Sequence, residues 1–503
     1  MSIFKQLAGQ TAIYGISSLL GRFLNYLLTP FYTWLIFKTY EFGVVTELYA
    51  YVVFLLIFLT YGMETGYFRF MQNENDKHKV FPTIVISLFI TSALFILLVN
   101  IFIAPISHFL QYQDHKNYIV LLAFIVAIDA FIAIPFAKLR QQNKALRFAL
   151  LKIINIGINI GCNLIFLLLF PFLNNKYNIP FIEKYFIIDN LVIYVFISNL
   201  IASVVTLFLL LPEIFEKKFY FDFNLLKKIL IYSFPLLLAG LAGQTNEFLD
   251  RLLLKHFINV PRGITNGNEY IMSQIGIYGA NFKIAVVMTL FIQAFRYAFE
   301  PMFFQKGKGI DSKVIYARIM KYFIVFCLII YLVITLYIDI FKYFIGSDFH
   351  EGLKIVPIVL FANILLGILF NLSLWYKLND LTKFGLIIAA IGASVTVIFN
   401  ILLIPKFGYV GSAWTHILSY FVMILTSYYF MRKYFKIQYD LKNIVIYIIA
   451  GLFIYFFSLI ININTLLLKY VIHTLLLLAF IIFVSYKENL LIQFITNAIK
   501  NRK

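Results

Sequence analysis

Four cations of this chain, Arg22, Arg251, Lys283 and Arg296, sit inside apolar stretches long enough to cross a bilayer. An ionisable group near the bilayer centre costs about 2.5–3.5 kcal/mol on insertion scales, so it normally faces a bundle interior or a water-filled cavity. Arg22 shares one helix face with Asn25 and Thr29, and Arg296 shares one with Gln293 and Glu300. The stretch around Arg251 adds Gln244, Asn246, Glu247 and Asp250. Glu47 opens a second apolar run and Asp129 lies inside a fourth.

Two chemistries compete for these residues. Glu247 with Arg251, and Arg296 with Glu300, have the i,i+4 spacing of ion pairs that neutralise each other and help helices associate. Arg22 and Lys283 have no acid three or four residues away, so local pairing does not account for them. A cavity lined by these cations suits an anionic ligand, because guanidinium matches phosphate oxygens bidentately and ammonium supplies a point charge. Asp129, Glu247, Asp250 and Glu300 are the acids that could carry a coupling proton or Na+; the competing reading is a buried, hydrogen-bonded structural acid.

The elements that position these groups are membrane spans. Of 503 residues, 62% are hydrophobic and 13% charged, and mean hydropathy is +0.89. A soluble domain is about 45–50% apolar and about 25% charged, so neither a soluble nucleic-acid binder nor a disordered chain fits, despite the net charge of +19. Windows of about 20 apolar residues fall at 12–36, 42–63, 80–106, 118–138, 147–171, 188–212 and 230–254. Seven more fall at 274–301, 319–345, 353–376, 384–405, 409–431, 441–463 and 466–486. The expected fold is thus an all-α polytopic membrane protein of about 14 spans. Residues 1–19 read as the start of the first span and not as a removable signal. Residues 487–503 read as a basic amphipathic tail.

With the N-terminus in the cytoplasm, Lys and Arg are roughly three times as numerous on inner as on outer segments, which places both termini inside. The densest inner loops are Lys138 to Lys152 and Lys306 to Lys321; their charge sets topology, with lipid headgroup contact as the alternative. Cys162 and Cys327 lie in apolar runs and offer neither a disulfide framework nor a metal cluster.

The polar spans recur at the start of each half. A helix with an internal Arg is followed by an aliphatic or aromatic residue and Gly opening the next: Phe42-Gly43-Val44-Val45 and Ile275-Gly276-Ile277-Tyr278. Such a repeat divides the chain into an N-terminal lobe at 1–212, a cytoplasmic linker at 213–229, a C-terminal lobe at 230–437 and an extra helix pair at 438–486. Transporters are commonly built from repeats with the substrate site between them.

The phrases LAGQTAIYGISSLLGRFLNYLLTPFYTWLI, NEFLDRLLLKHF with IGIYGANFKIA, Phe299-Glu300-Pro301 and FGYVGSAWTHILSY resemble bacterial polysaccharide transporters. These are the lipid-linked oligosaccharide flippases of the multidrug/oligosaccharidyl-lipid/polysaccharide (MOP) export superfamily. The resemblance implies two six-helix lobes rocking against each other. It also implies that Arg22, Asn25, Arg251, Lys283 and Arg296 line a cavity meeting the pyrophosphate of an undecaprenyl-type carrier, in the bacterial inner membrane. A polysaccharide polymerase and its chain-length machinery are the implied partners. A lipid II flippase and a multidrug antiporter are the alternatives within the superfamily, although an antiporter exporting cations would want acids where this chain has bases. No loop exceeds about 20 residues, and no phosphate-binding Gly-rich loop, metal-ligand spacing or nucleophile–base set occurs. Neither an enzyme nor a cofactor is therefore expected.

Overall fold

The computed structural model describes residues 15, 19–72, 77–186, 190–215, 220–306, 310–379, 381–461 and 465–488. Among them there is no strand, and thirteen helices are long and apolar enough to cross a membrane. Their cores are α1 (Thr39–Thr60), α2 (Lys77–Ile101), α3 (Lys116–Gln141), α4 (Ala145–Leu164), α5 (Val192–Phe215), α6 (Phe223–Phe257) and α7 (Gly267–Lys306). There follow α8 (Ile310–Leu336), α9 (Val356–Leu372), α10 (Lys383–Phe407), α11 (Tyr409–Tyr434), α12 (Leu441–Ile460) and α13 (Leu466–Lys487).

Each matches an expected span after the first. The expected span at 12–36 falls partly outside the described residues. Its described part, from residue 19, is helical but broken, passing through Leu28–Phe31 into a π turn at Tyr32–Ile36. Pro30 lies in that break and removes a backbone donor. Most of the expected tail, from residue 489, also lies outside the described residues.

Helix ends follow capping chemistry. The Asp222 side chain accepts from the Leu225 amide at 3.0 Å, so α6 starts inside the stretch read as a linker. Asp440 caps α12 through the Asn443 amide in the same way.

Contacts divide the chain into two compact units: Met1–Ala280 with Gly392–Ser412, and Asn281–Ile391 with Ala413–Lys503. The division falls inside α7, so α6 and the first part of α7 group with the spans that precede them in sequence.

In the first unit, the basic loop from Lys138 to Lys152 is largely paired. The buried Lys138 donates to the Glu213 carbonyl at 2.6 Å. Arg147 pairs with the Glu213 carboxylate and Arg140 with Glu64.

In the second unit, α12 and α13 pack on α8 and are tied to it near both ends. Lys321 bridges Glu488 at 2.6 Å and Asp440 at 3.3 Å. At the other end Lys469 pairs with Asp339 and the His473 ring meets the Leu336 carbonyl at 2.6 Å. Burial alone would raise the Glu488 carboxyl, but the Lys321 ammonium and the Tyr447 hydroxyl hold it below the usual range.

Candidate functional site

Polar side chains inside the spans form two different kinds of site. The first unit carries a closed network. Glu47 on α1 is fully buried, and the Lys255 ammonium on α6 reaches its two carboxylate oxygens at 3.0 and 3.1 Å. Tyr112 donates its hydroxyl to the same carboxylate, and Lys255 donates again to the Leu110 carbonyl at 2.6 Å. Removing either partner from such a buried pair costs about 3–5 kcal/mol, because the other charge is left uncompensated.

Five residues earlier on α6, buried Asp250 accepts from the Tyr278 hydroxyl of α7 and from Arg251 at 3.0 Å. Arg251 also donates to the Glu247 backbone carbonyl at 2.6 Å, and its guanidinium lies 4.9 Å from the Phe248 ring centre. Asn246 accepts from Thr396 of α10 at 2.9 Å. Elsewhere in this unit Ser203 donates to Asp129 at 2.7 Å. Arg22 and Asn25 are exposed and make no hydrogen bond or ion pair among the described residues.

The second unit carries an open cleft between α7, α8 and α9. Arg296 lies at 5.3 Å from the Phe370 ring centre. With it the cleft is lined by Lys377, Asn371, Phe295, Phe323 and Phe370. The cleft has a volume of about 20 Å³, room for about one water or one phosphoryl oxygen. The described lining includes no carboxylate. Two cations and an amide above an aromatic floor suit an anionic head on an apolar body. Lys283, also in this unit, is exposed on α7. The Glu300 side chain lies outside the described residues.

The structure therefore places the expected residues in separate settings. Glu247, Asp250 and Arg251 come together with Tyr278; Arg296 joins a cleft; Asp129 pairs with Ser203, Arg22 and Asn25 are exposed, and Lys283 is exposed on α7. Sequence reasoning missed Lys255 and Lys377. The apolar window ended one residue before Lys255, and Glu47 lies 208 positions away. Lys377 reads as an ordinary residue at the end of a span until folding brings it beside Arg296.

Residues 7–306 match the family described as "Polysaccharide biosynthesis protein". The capsular polysaccharide biosynthesis protein CapF of Staphylococcus aureus is 23% identical over 398 residues, covering 77% of this chain and 90% of the relative. Uncharacterized membrane protein MJ1068 of Methanocaldococcus jannaschii is 44% identical over 63 residues, a match spanning only 12% of either chain. The fold is similar to that of the lipid II flippase MurJ in an inward closed conformation. The TM-score is 0.68 at 16% identity, covering 95% of this chain and 99% of that one. It is also similar to an inward-facing multidrug resistance MATE transporter of the MOP superfamily, with a TM-score of 0.54 at 14% identity over 85% and 97% of the two chains. With a family match over more than half its length, the chain belongs to the polysaccharide biosynthesis protein family.

Proposed function

We propose that the protein is a flippase that moves an oligosaccharide linked to an undecaprenyl-type pyrophosphate across the cytoplasmic (inner) membrane of a bacterium by alternating access. Both termini face the cytoplasm, as the distribution of Lys and Arg favours. The observation that carries this reading is the cleft in which Arg296 and Lys377 flank an aromatic floor. Its cations match phosphate oxygens and its rings match the apolar chain beside them. By the orientation above, the cleft lies toward the cytoplasmic ends of α7 and α9, where a carrier charged with its glycan would arrive.

Arg22 and Lys283, with Asn25, supply further positive and polar groups along the path. Arg251 is paired with Asp250, which offsets part of the cost of burying its charge. Asp129, Glu247, Asp250 and Glu300 are the acids through which a proton or Na+ gradient would drive the cycle. The flipped unit, of O-antigen, capsule or similar type, passes to a polymerase and its chain-length machinery. The CapF relative supports a surface glycan as cargo.

Vesicles containing the purified protein and a fluorescent undecaprenyl-pyrophosphate-linked disaccharide test the reading. Protein-dependent loss of fluorophore protection from an external quencher is expected; full protection retained over hours contradicts it. The likeness to MurJ favours a second cargo, lipid II. Rescue of a strain depleted of its peptidoglycan flippase would select that cargo.

A further inference from the structure

A file of aromatic rings runs from the Arg296 cleft to the surface of the second unit. Phe295 and Phe323, which line the cleft, have ring centres 4.5 Å apart. Phe323 stacks on Phe291 at 5.9 Å with 15° between the planes, and Phe291 stacks on Phe326 at 4.5 Å with 23°. Such separations are those that stacked aromatic pairs prefer. The Phe323 ring is held from behind by α9: a Cβ added at Gly367 would lie 2.6 Å from its Cζ, so only glycine leaves the ring its room.

The far end of the file is open. α8 packs against α9, α12 and α13, and from Phe323 to Leu336 every residue but one is buried or half-buried. The exception is Phe326, at 50% exposed. A helix this enclosed shows a large ring only where its packing leaves a gap, and the ring it shows is the one stacked on Phe291.

The file also has a direction. Phe291 precedes Arg296 by five residues on α7, about 7 Å along the axis. With α7 ending in the cytoplasm, as the orientation above requires, the rings lead from the cations toward the middle of the bilayer. A lipid whose pyrophosphate sits at the cytoplasmic end of α7 has its chain pointing the same way.

We propose that Phe295, Phe323, Phe291 and Phe326 form the seat of the carrier's chain, and that their flat faces select an isoprenoid over a straight alkyl chain. The proposal deepens the transport reading above and rests on its cleft and orientation. Aliphatic side chains would accept any hydrocarbon alike, because burial of apolar area is non-directional. Rings add a planar surface. The trisubstituted double bonds of an isoprenoid are planar as well, and carry methyl groups that lie against a ring face. A saturated straight chain has neither and gains less from the same four rings. Phe295 and Phe323 belong to both cleft and file, so one continuous surface holds the head and the first part of the chain.

Titration of the detergent-purified full chain with farnesyl pyrophosphate, dodecyl pyrophosphate and inorganic pyrophosphate tests this, the two lipids having main chains of equal length. The wild type should bind the farnesyl lipid roughly fivefold more tightly than the dodecyl lipid, the scale of one good aromatic contact. Phe291→Leu with Phe326→Leu keeps apolar volume and should remove that preference, whereas Phe326→Trp alone keeps a ring and should retain it. Inorganic pyrophosphate has no chain and should bind wild type and variants alike. A farnesyl pyrophosphate with a photoreactive diazirine at its tail should label peptides containing Phe291 or Phe326.

Equal affinity for the two lipids in the wild type, a preference that survives the double leucine variant, or labelling confined to α12 and α13 overturns the seat and leaves the cleft standing. The converse result is also distinct. If Arg296→Ala leaves pyrophosphate affinity unchanged while the farnesyl preference still depends on Phe291 and Phe326, the seat stands and the cationic reading of the cleft falls.

Discussion

In the first unit Lys255 ends on the two oxygens of Glu47, and Arg251 ends on Asp250. In the second unit Arg296 and Lys377 flank a cleft whose described lining offers rings and an amide but no carboxylate. The Lys255 and Arg251 charges are met by buried acids, and the Arg296 guanidinium lies over the Phe370 ring. A cation already satisfied by an acid has little left for a ligand; the Lys255–Glu47 pair ties α6 to α1, whereas Arg251 and Asp250 are neighbours on one helix. A cation resting on aromatic rings keeps its attraction for phosphate. Under the proposed function, the Glu47–Lys255 pair is a latch and the Arg296 cleft the binding site.

Unbalancing the latch should have the largest effect. Lys255→Met should lower unfolding stability in detergent by about 3–5 kcal/mol, because Glu47 is left charged and buried. Adding Glu47→Gln should restore most of the loss; thermal unfolding of the single and double variants checks both. If the single variant were as stable as the wild type, the pair would not be a latch.

Next come the binding cations. Arg296→Ala should weaken binding of a pyrophosphate lipid by about ten- to a hundredfold, since a hydrogen bond to a charged group is worth about 1.5–3 kcal/mol. Surface glycan export should fail while protein abundance is unchanged, and Arg22→Ala should behave alike. Immunoblotting beside a surface-glycan stain separates loss of transport from loss of protein.

Phe370→Leu should have a smaller effect. It keeps apolar volume but removes the ring beneath Arg296, a contribution of about 0.5–1 kcal/mol, so affinity should fall severalfold, read by the same binding measurement.

The pair of Asp339 and Lys469 gives the smallest effect. The hydrogen bond from the Lys469 ammonium holds the Asp339 carboxyl below its usual range. Its stabilisation is therefore present above about pH 4 and is lost as pH falls through the lowered value. The pair is partly exposed, so Asp339→Asn should cost under about 1 kcal/mol at neutral pH, with the difference from wild type vanishing in acid.

Much of this was legible before folding. The spans after the first could be read because an apolar run of bilayer length has few other fates, and α1 to α13 fall where those runs are. The glycine phrases at Phe42-Gly43 and Ile275-Gly276 could be read as matching helix openings, but not that each glycine would face the other helix. Arg22, Arg251, Lys283 and Arg296 stood out because charge in an apolar run is rare. Which of them is neutralised could not be read, because partners are set by packing: Asp250 bonds Tyr278 across helices, and Glu47 meets a lysine in the other half of the chain. Lys255 and Lys377 escaped notice at span ends, where a lysine is ordinary.

The central claim is that the Arg296 cleft binds an anionic lipid head. Titrating the detergent-purified protein with farnesyl pyrophosphate, with farnesol as the uncharged control, tests it most directly. Saturable binding of the pyrophosphate, none of farnesol, and at least a tenfold loss for both Arg296→Ala and Lys377→Ala is the predicted result. Equal affinity in the wild type and both variants would contradict it.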